Sequence, residues 1–131
     1  MQKLLKFQSP AIIWAFFVLI ICCASLGKAS ESPMFFKGFD KLTHTGLFFV
    51  LSVLTLFGLL RTQAQHQLSA VKYLLVLVLL VVFGAAIELL QWNVFTYRSA
   101  EWADLFCDVL GSLMGMFSAL VITYAIQNQH K

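Results

Sequence analysis

With 131 residues, 60% of them hydrophobic and only 11% charged, the chain is too apolar for a water-soluble domain of its length. Its net charge of +3 comes from basic residues scattered along the sequence, with no basic run or tail, so no nucleic-acid-binding patch is expected. An all-α polytopic membrane protein fits this composition, because a backbone inside lipid must satisfy its own hydrogen bonds.

Four apolar runs, at 11–27, 42–60, 73–87 and 109–126, reach membrane-crossing length once their polar flanks are included. They predict helices over about 11–27, 41–60, 72–91 and 103–126, a four-transmembrane-helix bundle forming one domain over 1–131. Helix one is expected to open after Pro10, a residue tolerated in a first helical turn. Lys3 and Lys6 before this run, with Gly27-Lys28-Ala29 after it, faintly resemble a cleaved signal, but the run is long for a signal core and a retained helix is expected. The segment 28–39 gathers Ser30, Ser32, Pro33 and Gly38 around Met34-Phe35-Phe36 and reads as an interfacial loop. Helix two ends at Arg61, where 61–67 makes a hydrophilic loop. The turn 92–103 places Trp92, Tyr97 and Trp102 as interface anchors. Cys22, Cys23 and Cys107 lie in apolar sequence and read as small hydrophobes.

The six carboxylates, Glu31, Asp40, Glu88, Glu101, Asp104 and Asp108, all fall at one membrane face under this topology. The opposite face carries Lys3, Lys6, Arg61, Lys72 and Lys131 with no acid, against Lys28, Lys37, Lys41 and Arg98 on the acid side; this basic bias of five to four, together with an even number of spans, leads to the expectation of both termini in the cytoplasm and the acids at the outer surface. Ionisable groups at membrane depth are expensive and mark candidate sites.

Three constellations stand at that outer face. Asp40, Lys41 and His44 open helix two, with Asp40 and His44 on one helical face; the plainest reading is that Asp40 caps the helix and His44 hydrogen-bonds to it. Glu88 and Gln91 share a face of helix three, and Glu88 needs a partner or a proton there, with Arg98 the best suited through its planar fork, ahead of Lys41 and His44. Asp104, Asp108, Gly111 and Gly115 form one stripe on helix four, whose GxxxG part lets two backbones approach closely.

The order Asp40-Lys41-x-x-His44-x-x-x-Phe48, Glu88-x-x-Gln91, Arg98, Asp104 and Gly111-x-x-x-Gly115 resembles the VanZ-like family of small bacterial membrane proteins. The likeness covers roughly helices two to four, and the position of Asp108 is often Asn in that family. It implies a polytopic protein of the cell envelope, one founding member being linked to reduced susceptibility to the glycopeptide teicoplanin; it implies no reaction.

Three functions follow as expectations. The first is binding of an anionic or lipid-linked cell-wall component by Asp40, Lys41, His44, Glu88, Gln91, Arg98, Asp104 and Asp108, with membrane lipid as the surrounding partner. The second is metal-assisted hydrolysis at the outer interface, for which Asp40, His44, Glu88, Asp104 and Asp108 are suitable donors, although no HExxH, phosphate-cradling loop or nucleophile elbow supports it. The third is an ion-pair network that only holds the helices together. The sequence names no cofactor and assigns no resident metal.

Overall fold

Leu, Val, Ile and Phe fill the four apolar runs without a proline after Pro10, so nothing interrupts helix once each run has begun. A computed structural model describes residues 2–23, 38–63, 67–94 and 102–128. They form helices α1 (Gln2–Cys23), α2 (Phe39–Leu60), α3 (Ala70–Val94) and α4 (Trp102–Asn128), with no strand among the described residues. Each helix is long and apolar enough to cross a membrane, so the chain is a multi-pass, all-α membrane protein in contact with lipid. Outward-facing Ile13, Phe16 and Ile20 on α1, Leu75 and Leu79 on α3, and Phe117 on α4 supply the apolar surface that such contact requires.

Helix α1 begins eight residues or more before the start expected at Pro10. The proline sits inside the helix, where it withdraws the N–H that Lys6 O would have accepted. The Ser9 hydroxyl donates to that carbonyl at 2.8 Å and repairs the gap locally. Residues 24–27, expected to continue this helix, lie outside the described residues. Helices α3 and α4 extend a few residues beyond their expected ends, so Trp92 and Trp102 are exposed helical residues flanking the turn, and Tyr97 lies outside the description.

The most extensive packing joins α2 to α4, which are not neighbours in sequence and run parallel. Glycine makes this possible. A Cβ added to Gly111 would overlap the Thr45 carbonyl oxygen, and one added to Gly115 would lie 2.5 Å from Phe49 O. Ser52 Oγ, fully buried beside them, donates to Ser112 O at 2.9 Å. Helix α1 rests against α2 and α3. Trp14 Nε1 donates to Leu47 O and Gln8 Nε2 to Thr55 O, each at 3.0 Å, while a Cβ at Gly58 would lie 2.7 Å from Phe7 O. The apolar core between these contacts includes Val18, Phe48, Leu56, Leu80 and Ile87.

Candidate functional site

The end of the bundle formed by the C-termini of α1 and α3 and the N-termini of α2 and α4 holds every acid among the described residues. Gly38, at φ 94°, enters α2 in the left-handed region that glycine reaches at least cost, and it occupies the cap position. Asp40 therefore sits in the first turn, where its charge still favours the helix dipole, rather than at the cap.

From there the side chains fall into two tiers. At the mouth, Lys41 Nζ stands 3.4 Å from Asp40 Oδ2 and 3.5 Å from Asp104 Oδ1. One turn deeper, His44 Nδ1 meets Asp108 Oδ1 at 2.9 Å, with both residues buried. The tiers arise because Lys41 and His44 are three apart on α2, Asp104 and Asp108 are four apart on α4, and the two helices run parallel. The expected Asp40–His44 hydrogen bond is replaced by this arrangement. The shared face of α2 turns His44 inward to α4, while Asp40 stays half-exposed with Lys41.

Helix α3 contributes the third wall. Gly84, Glu88 and Gln91 line its inner face, and one donor atom from each of His44, Glu88 and Asp108 lies within 4.8 Å of the other two. A Cβ on Gly84 would approach Asp108 Oδ2 to 2.8 Å, so glycine leaves the room in which that carboxylate sits. Gln91 is fully buried and donates from Nε2 to Cys22 O at 2.7 Å, which ties α3 to the end of α1. The Cys22 side chain also faces the His44 ring. With Asp108 ionised, the His44–Asp108 bond needs the hydrogen on Nδ1.

Of the residues singled out in the sequence, His44, Glu88 and Asp108 thus come together, Lys41 joins Asp40 and Asp104 above them, and Gln91 flanks Glu88. Gly111 and Gly115 continue the α4 stripe below as the backbone contact with α2. Arg98, the expected partner of Glu88, lies outside the described residues, as do Glu31 and Glu101. Gly84 and Cys22 carry no sequence signal as site residues beyond their register: Gly84 opens the small-residue run Gly84-Ala85-Ala86, one turn before Glu88. No family model, curated protein or solved structure matches the chain.

Proposed function

We propose that this is a VanZ-like protein of the bacterial cytoplasmic membrane, with both termini in the cytoplasm, whose acid-bearing end opens outward and binds an anionic or lipid-linked cell-wall component. The observation that carries this reading is the stacking of two ionic contacts, Lys41–Asp104 above His44–Asp108, within one end of an otherwise apolar bundle. A network serving only to hold helices together gains little from such pairs, since apolar packing does as well or better. Lys41 keeps about a third of its side chain exposed at the mouth. A phosphate or carboxylate arriving from outside would exchange with Asp40 or Asp104 on its ammonium, and Arg98 would add a planar fork.

The test is glycopeptide susceptibility in a deletion strain. Complementation with the wild type or with Lys72→Ala, at the opposite end of the bundle, should restore reduced susceptibility to teicoplanin, and Lys41→Ala or Arg98→Ala should not. Full complementation by both of the latter variants would remove the anion-binding reading. Metal-assisted hydrolysis of a phosphoryl or acyl group at the same interface is the second reading, favoured by the mutual closeness of the His44, Glu88 and Asp108 donor atoms.

A further inference from the structure

Matching donors to acceptors around His44 leaves acceptors over. Asp108 is fully buried; its Oδ1 meets His44, whereas its Oδ2 has no hydrogen-bond partner among the described residues. The same holds for Gln91 Oε1, one turn beyond Glu88 and equally buried. Buried acceptors of this kind are rare unless a water, a proton or a cation completes them. The Glu88 carboxylate enters the same space, with donor atoms of the three residues no more than 4.8 Å apart.

We propose that His44, Glu88 and Asp108 bind one divalent transition-metal cation of the Zn2+ type. The proposal rests on reading this end of the bundle as the working site and names what occupies its deep tier. Imidazole nitrogen and carboxylate oxygen are both donor types for Zn2+, with bonds of about 2.0–2.2 Å that place tetrahedral ligand atoms roughly 3.4 Å apart. The present spacings, 2.9 Å between His44 and Asp108 and at most 4.8 Å across the trio, bracket that value. Charge agrees with geometry: on binding the cation, His44 releases to solvent the Nδ1 proton that it otherwise shares with Asp108, and the resulting neutral imidazole and two carboxylates carry two negative charges, which a divalent cation cancels in a setting where net charge is costly. Asp40 and Asp104 are spared for Lys41 in the tier above. Three protein ligands leave a fourth position, and an anionic headgroup entering past Lys41 would meet the cation there instead of a bare pair of acids.

The full chain, purified in detergent and stripped by a chelator, should take up one Zn2+ per chain in equilibrium dialysis. His44→Ala, Glu88→Gln and Asp108→Asn should each weaken Zn2+ binding by at least about tenfold, while Lys72→Ala, at the opposite end of the bundle, should leave it within about twofold of the wild type. Failure to reach one ion per chain would overturn the site, and so would undiminished affinity in both Glu88→Gln and Asp108→Asn. Should these variants fold poorly, X-ray absorption of the Zn2+-loaded wild type decides: a shell of one imidazole with oxygens supports the assignment, and a sulfur-dominated shell overturns it. Stoichiometric, Glu88-dependent Zn2+ binding in a protein whose deletion leaves teicoplanin susceptibility unchanged would support the metal site while removing the envelope ligand proposed above.

Discussion

His44 and Asp108 meet at 2.9 Å with neither side chain appreciably exposed, and the energetic consequence is asymmetric. A buried ion pair adds little over apolar side chains of the same volume, yet removing one partner strands the other without compensation. His44→Ala should accordingly destabilise the detergent-solubilised protein by about 3–5 kcal/mol, whereas the double variant His44→Leu/Asp108→Leu should recover most of that loss. Asp40→Asn, at the half-exposed mouth, should stay within about 0.5 kcal/mol of the wild type. Denaturant unfolding of the four proteins would check the pattern, and a double variant as unstable as the single one would refute it. That both His44 and Asp108 belong to the polar end was legible from their depth along the helices; that they belong to each other was not. Spacing of four residues places Asp40 and His44 on one face but leaves open which neighbouring helix that face meets. The decisive information is the register of α4 against α2, and residue spacing within either helix is silent about it.

Register is set at the scale of elements, by Gly111 and Gly115. Because the backbones of α2 and α4 touch there, a side chain at either position must push α4 away along its whole length and draw Asp104 and Asp108 off Lys41 and His44. Gly115→Leu is expected to cost about 1–3 kcal/mol or more through overpacking, with Gly115→Ala milder. Gly46→Ala is the matched control: nothing lies within 4 Å of a Cβ added there, so it should be neutral or slightly stabilising. Thermal unfolding of the purified variants measures both, and equal stability of Gly115→Leu and wild type would defeat the close-packing account. The GxxxG stripe itself stands plainly in the sequence, in line with Asp104 and Asp108. Its partner does not, because short loops favour antiparallel neighbours and the glycines instead select the parallel helix two elements away. The start of α1 at Gln2 is likewise not legible from residue type. Pro10 looks like a helix opener, but Ser9 beside it can satisfy the carbonyl that an internal proline frees.

At the scale of the whole molecule the two ends of the bundle differ in charge. Asp40, Glu88, Asp104 and Asp108 share one end, while Lys3, Lys6, Arg61 and Lys72 gather at the other, where no acid stands among the described residues. Basic residues are favoured on the cytoplasmic side of a membrane, and this bias is what supports the orientation proposed above. The proposed orientation therefore predicts that a thiol at the basic end is reached from inside and one in the segment joining α1 to α2 from outside. Gln67→Cys, exposed beside the α2–α3 turn, and Ser32→Cys provide the pair, each in a background with Cys22, Cys23 and Cys107 replaced. A membrane-impermeant maleimide applied to intact cells should label Ser32→Cys and spare Gln67→Cys until the membrane is opened. The reverse pattern would turn the polar end toward the cytoplasm. It would also withdraw the cell-wall component as its ligand, since only the outer end of the bundle can meet one, while the internal geometry of His44, Glu88 and Asp108 would stand unchanged.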